Sequence, residues 1–294
     1  MKLWRAIRIQ SVDFIVYLAL PLVSVFLPAS WSRALLARSS NLNWVLTMEA
    51  DAAWSSAGEY VDTGNEKAWK ARWKQIELLD VRDLYLMTFG RTATVMGEIE
   101  CDTDLEILRD KVVVGMHWGP SVSILKLFQL AGLDPAIPYR KPEREILRIR
   151  PFFYLFVTLA ARYIVNTLGD RAITVGGAGK VLRAMMDQAG SVMVVMDAPP
   201  KAGRSTLKAE VIGRSAKFDA GFPAILADNN REYVFYALNL QPGGLVKKKL
   251  ELQGPFNSNE AQDFVERYAA FLDQHLSSDP VQWRIWHVAQ QFWN

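Results

Sequence analysis

The stretch that most constrains this chain is residues 111–130, KVVVGMHWGPSVSILKLFQL. Val112, Val113 and Val114 make an apolar run without alternation, as a strand buried on both faces of a sheet reads. The run stops at Gly115 and Met116, and His117 follows at once. Gly119 and Pro120 mark a turn, after which Ile124, Leu125, Leu127 and Phe128 recur at helical spacing. Proline suits a first helical turn, because the N–H it lacks would have no partner there. The pattern is a buried strand turning sharply into a helix, with an imidazole at the junction. Open α/β sheets bind ligands at such strand ends, and helix starts offer free N–H donors.

Other segments repeat the succession of strand and helix. Residues 136–139, 161–165, 192–196 and 207–212 read as strands, and residues 233–240 and 245–252 as a hairpin across Pro242, Gly243 and Gly244. Gly176, Gly177, Ala178 and Gly179 open a helix running to Gln188; 220–227 reads as a short apolar helix and 260–276 as an amphipathic one. The expected fold class is α/β: a mixed central sheet flanked by helices, preceded by an N-terminal apolar anchor and a helical hairpin. The expected division is 1–31, a membrane-anchoring apolar segment; 32–90, a helical hairpin packed on the core; and 91–294, the α/β domain.

The first segment carries Lys2, Arg5 and Arg8, then FIVYLALPLVSVFL over residues 14–27, apolar except for Ser24. That is short of the roughly 20 residues a spanning helix needs, and Pro21 would kink it. A signal peptide, a true span, a half-buried anchor and a core helix all fit, although an Ala-x-Ala type cleavage site is missing. Membrane anchoring of some kind is the expectation. In the second segment Trp44, Met48, Trp54, Trp69, Trp73, Ile76, Leu79 and Leu84 recur at spacings near three and four, broken at Asp62, Thr63, Gly64 and Asn65. That Trp-rich face either packs on the main domain or lines an acyl groove.

Composition narrows the function. A net charge of +3 in 294 residues, with no alternation of basic and aromatic residues, argues against nucleic acid. One cysteine, Cys101, excludes an internal disulfide and a cysteine-based metal site. Three histidines far apart give no metal-ligand spacing, so no metal or redox cofactor is expected. Arg140, Lys141, Arg144, Arg148 and Arg150 form the densest basic cluster, readable as a phosphate site or as a solvated helix face. Asp197, beside Pro199 and Pro200 at the end of an apolar run, is either a site residue or a turn former.

Several of these pieces, in order, resemble the lipid A biosynthesis acyltransferase family, within the wider lysophospholipid and glycerolipid acyltransferase group. The resemblance runs from about Val112 to His287. The family's His-x-Gly-x-x-Glu looks like His117, Trp118, Gly119, Pro120, Ser121 and Val122; its Tyr-Arg-Pro like Tyr139, Arg140, Lys141 and Pro142. Asp197 after a buried strand, Ile212-Gly213-Arg214, Gly221 to Ala227, Gly254-Pro255-Phe256 and the tail from Pro280 through Trp283 and Trp286 to His287 complete it.

The resemblance implies transfer of a fatty acyl group from acyl carrier protein or coenzyme A to a hydroxyl or amine of a membrane-associated, (glyco)lipid acceptor. His117 would be the general base. N–H groups at Gly119 would hold the oxyanion, and Arg140, Lys141, Gly213 and Arg214 would hold phosphate on the acceptor or the phosphopantetheine arm. It also implies the inner (cytoplasmic) membrane, with the catalytic domain on the cytoplasmic side. One position departs: Val122 stands where the family has a carboxylate. Asp197 would supply the missing charge, or Ser121 or Ser123 would orient the ring, or the chain keeps the fold as a non-catalytic lipid-binding or assembly protein. A hydrolase is a weaker fit, since Ser121 is not in a G-x-S-x-G elbow.

Overall fold

The computed structural model describes residues 2–174, 178–187, 190–201 and 203–293. Gly176 and Gly177 of the glycine-rich turn, and Gln188 at the expected end of its helix, lie outside the described residues. The chain begins with α1 (Lys2–Phe14), widens into one π-turn (Ile15–Ala19) and continues as α2 (Leu20–Phe26). Pro21 explains the widening, because it has no N–H to give the Tyr17 carbonyl four residues back. That carbonyl accepts the Tyr85 hydroxyl instead, at 2.6 Å.

Residues 32–90 differ from the expected hairpin. They belong to three helices, α3 (Ala29–Ser40), α4 (Thr47–Ala57) and α5 (Glu66–Thr88). The break at residues 62–65 separates α4 from α5, and the Asn65 side chain caps α5 by accepting the Ala68 N–H at 2.9 Å. Trp69, Trp73, Ile76, Leu79 and Leu84 of α5 are buried, so this part of the tryptophan face packs inward, whereas Trp44 and Met48 are exposed and line a surface cavity with Trp4.

Next come α6 (Thr92–Met96), β1 (Ile99–Cys101), β2 (Val112–Gly115), a 3-10 turn (Ser121–Ser123), α7 (Ile124–Leu130) and β3 (Ile137–Tyr139). α8 (Arg144–Ile149) and α9 (Pro151–Leu168) follow. The strand expected at residues 161–165 is therefore helical. Those residues belong to an 18-residue apolar stretch that starts on Pro151 and stops at Gly169, and length outweighs their β-branched content. The strand of this region is β4 (Ala172–Thr174), after which α10 (Ala178–Met186) leads to β5 (Val192–Val195).

β6 (Thr206–Val211) and β7 (Arg214–Asp219) form a hairpin; the second strand was not apparent in the sequence. Then come α11 (Gly221–Asn229), β8 (Tyr233–Leu240), β9 (Lys248–Phe256), α12 (Ala261–Ser278) and α13 (Gln290–Trp293). β9 starts three residues later than expected, because the Gln241 N–H closes the loop on the Lys247 carbonyl at 2.9 Å.

The main sheet has the order β1-β9-β8-β2-β5, parallel except for the β8/β9 hairpin. It is thus mixed, with helices around it. β3 and β4 form a parallel pair beside β5, tied to it by one bridge between Ala136 and Val192. One apolar core runs from Val16 to Phe292 across all three expected segments. α5 is also tied to the sheet by buried charges. Arg82 grips Glu98 with two bonds of 2.7 and 2.8 Å, and Lys248 pairs with Asp83, all four residues being buried. At the surface, Arg150 clasps Asp13 of α1 at 2.8 and 2.6 Å.

Candidate active site

β2 and β5 are parallel and in register, with Gly115 opposite Val195. Two residues further on, His117 and Asp197 leave the sheet side by side. Gly115 is glycine because a Cβ there would stand 2.3 Å from the Tyr236 ring. The Asp197 carboxylate is fully buried and accepts the His117 N–H at 3.0 and 2.8 Å. It also meets His117 Nδ1 at 2.8 Å and accepts the Trp283 indole N–H at 2.8 Å. A carboxylate only accepts, so the ring proton is assigned to Nδ1, and Nε2 keeps a free lone pair. The imidazole is 46% exposed, so solvent and ligand reach it.

Two effects oppose each other on this ring. Desolvation disfavours the imidazolium, but the charge and hydrogen bond of Asp197 outweigh it, and the net pKa lies above the ordinary 6.5. An oriented base whose conjugate acid is stabilised is the arrangement that general-base catalysis needs.

A later segment holds the junction in place. Trp118 bridges Trp283, the Gly119 N–H donates to the Gln282 carbonyl at 2.9 Å, and the Arg284 N–H donates to the His117 carbonyl at 2.9 Å. The Arg284 guanidinium takes Glu77 at 2.7 and 2.8 Å and also bonds Asp80. Asp80 in turn accepts the Val122 N–H at 2.8 Å. A carboxylate from α5 thus caps the turn at the position where the chain itself carries Val122.

These contacts revise the roles expected of several residues. The Gly119 N–H is committed to Gln282 and gives nothing to an oxyanion. Gly119 is required by its φ of +53° and by the Leu238 carbonyl, which would lie 2.2 Å from a Cβ. Neither Ser121 nor Ser123 orients the ring: Ser123 Oγ is buried without a partner, and Asp197 holds Nδ1. Gly213 and Arg214 sit at the β6/β7 turn, where Arg214 donates to the Glu59 carbonyl at 3.0 Å and covers the Tyr60 ring. They do not reach His117. Arg140 and Lys141 are exposed, and Arg140 lies 3.6 Å from Glu143. They follow Tyr139, which lines the cavity beside the site, but do not line it themselves.

That cavity has a volume of about 570 Å³. Its lining includes Ser121, Val122, Met196 and Ala198, close in the chain to His117 and Asp197, which do not line it themselves, and it runs along β5 between β3, α7, α9, α10 and α11. Ile124, Leu125, Ile164, Met193, Phe222 and Ile225 make its wall mostly apolar. Lys201 and Arg204 bring positive charge to it, with Arg204 3.7 Å from Asp219. No model of a known protein family matches this chain, and no curated protein does.

Sequence reasoning missed Trp283, Asp80, Arg284, Lys201 and Arg204. An acid among Leu78, Leu79 and Val81 was a usable signal for Asp80, since a carboxylate on a buried helix face needs a partner. Among the described residues no group of three or more His, Cys, Asp or Glu is placed to hold a metal ion.

Proposed function

We propose that this protein is an acyltransferase that moves a fatty acyl group from a thioester donor to a hydroxyl or amine of a membrane-associated acceptor. The observation that carries the reading is the pairing of a half-exposed His117 with the buried Asp197, whose chain neighbours Met196 and Ala198 line a mostly apolar cavity. The cavity suits a hydrocarbon chain, and His117 suits activation of the acceptor.

In the proposed reaction Nε2 takes the acceptor proton as its oxygen or nitrogen attacks the thioester carbonyl. The imidazolium then returns that proton to the departing sulfur as the C–S bond breaks, so charge and protons balance. Asp197 steadies the imidazolium between the two steps. The donor is an acyl carrier protein or coenzyme A thioester. Membrane association is supported by two apolar helices, Ile7–Phe26 and Pro151–Arg171, of which 33% and 6% are buried. The proposed location is the inner (cytoplasmic) membrane with the catalytic domain on its cytoplasmic side.

His117→Ala tests the base. Transfer of a labelled acyl group to extracted membrane lipid is expected to fall by about 10²–10⁴-fold, with the fold unchanged by circular dichroism. Transfer at the wild-type rate in that variant would remove His117 from the mechanism. Wild-type protein that retains one lipid per chain and never turns over would favour a non-catalytic lipid carrier.

A further inference from the structure

Two further cavities adjoin where the chain leaves α3 and enters α4. The first, of about 430 Å³, is polar: Thr47 and Asp51 line it together with Glu66, Lys67, Lys70 and Lys74 of α5. The second, of about 470 Å³, is mostly apolar, and Trp4, Trp44, Thr47 and Met48 line it. Thr47 belongs to both. Among the described residues neither shares a lining residue with the cavity that runs along β5.

Lys74 is the unusual member of the polar cavity. It is only 6% exposed, yet its ammonium donates to the Leu42 carbonyl alone, at 3.0 Å, and pairs with no carboxylate among the described residues. An ammonium has three protons to donate, so two are left over. A buried charge without a counter-ion is costly, and burial holds the Lys74 pKa below its ordinary value. Lys70 is different: it meets Asp51 at 2.6 Å and also pairs with Glu66. Three ammonium groups against two carboxylates leave one positive charge in excess. The cavity also borders the first turn of α5, the positive end of a 23-residue helix dipole.

We propose that the two cavities together hold one anionic phospholipid, with its phosphate at Lys74 and Lys67 and the start of its acyl chains across Trp4, Trp44 and Met48. An amphiphile needs a cationic cavity and a greasy one in contact, and Thr47 is where these two meet. A free anion leaves the apolar cavity unfilled. An uncharged lipid leaves the Lys74 ammonium without a counter-ion. The exposed rings of Trp4 and Trp44 suit the depth at which a phosphate meets the first methylenes of a bilayer. This lipid is a resident of the fold and not a substrate of His117, so the inference does not depend on acyl transfer.

Calorimetry on the full chain in an uncharged detergent tests the site. Dihexanoylphosphatidylglycerol is expected to bind with one molecule per chain. Dihexanoylphosphatidylcholine, with the same tails, and inorganic phosphate are each expected to bind at least tenfold more weakly. Lys74→Met should raise the Kd for the anionic lipid at least tenfold, the loss of a charge-assisted contact. Its Tm without lipid should equal or exceed that of wild type, because the variant buries no unpaired charge. A Lys74 that serves only to cap the end of α3 predicts the opposite pair: a lower Tm and an unchanged Kd. Lys67→Gln, at an exposed position, should leave the Tm in place and raise the Kd about two- to fivefold, which tests the charge even if Lys74→Met fails to fold.

Equal binding of the two lipids overturns the proposal, because the head-group charge is then not read. Equal binding of inorganic phosphate also overturns it, since the occupant is then a free anion. Lipid binding that survives both substitutions removes the lysines from the site. No thioester enters these measurements, so their outcome stands apart from the acyltransferase reading.

Discussion

At the scale of the residue, His117 and Asp197 act as one unit because the carboxylate fixes both the tautomer and the basicity of the ring. The sign of the pH effect follows. The proposed transfer needs neutral imidazole, so its rate is expected to fall as pH drops through a pKa held above 6.5. Asn at position 197 removes the charge that raises it. Asp197→Asn is therefore expected to move the acid limb of kcat/KM to lower pH and to lower the plateau by about 10²–10⁴-fold. A pH–rate profile with an unmoved limb would detach Asp197 from the base. The same raised pKa adds stability that is full below 6.5 and is lost as pH rises through the folded value. His117 was legible because an imidazole ending an apolar run lies at a strand end, and Asp197 because it ends a second such run. Their meeting, 80 residues apart, needed only parallel pairing in register. Trp283 was not legible in this role, since only a bridge to Trp118 brings it to the carboxylate, 86 residues from its own position.

At the scale of the element, α5 organises the molecule and is also the least ordinary helix to bury. Asp80 caps the active-site turn, while Arg82 and Asp83 lie on its buried surface with Glu98 and Lys248 as partners. Two positive and two negative side chains leave this group neutral, so removing any one strands a charge without water. Lys248→Met is expected to destabilise the protein by about 3–5 kcal/mol, read as a lower Tm. Adding Asp83→Asn to it should restore part of that loss, because the stranded carboxylate goes with it. Additive losses in the double variant would show that the two residues are not coupled. The periodicity of α5 predicted its helix and its apolar face, but not that the charges interrupting that face would be buried together. Elsewhere, local pattern failed where it was too short to decide. The β-branched residues 161–165 belong to a longer helix, and β7 offers only Ala216 and Phe218 as an alternating pair, its pairing with β6 supplying the rest.

At the scale of the whole molecule, the apolar surface gathers where the first helices meet α8 and α9. Phe14 packs edge-on against Phe152, with ring centroids 5.2 Å apart. Trp4 and Ile149 stay 77% and 71% exposed, with Trp44 and Met48 also exposed and a half-buried Arg150 paired with the buried Asp13 nearby. Such a patch fits the boundary of a bilayer, with tryptophan at headgroup depth. The double variant Trp4→Ser, Ile149→Ser is expected to sediment at least tenfold less with phosphatidylglycerol-containing vesicles, while its transfer to a detergent-dispersed acceptor stays near wild type. Equal sedimentation would place the membrane contact elsewhere. Composition and the 14–27 run pointed to an apolar N-terminal helix. Its partnership with α9 was hidden, because residues 161–165 of that helix read as a strand.

The bridge between Trp118 and Trp283 also bears on biosynthesis. A growing chain that has reached α1 and α2 already owns its greasy surface, and soon afterwards its histidine. Until Trp283 and Arg284 have emerged and folded back, that histidine has neither its anchored carboxylate nor a fixed main chain. On the proposed function, nascent or prematurely halted polypeptides would therefore meet lipid before they could modify it.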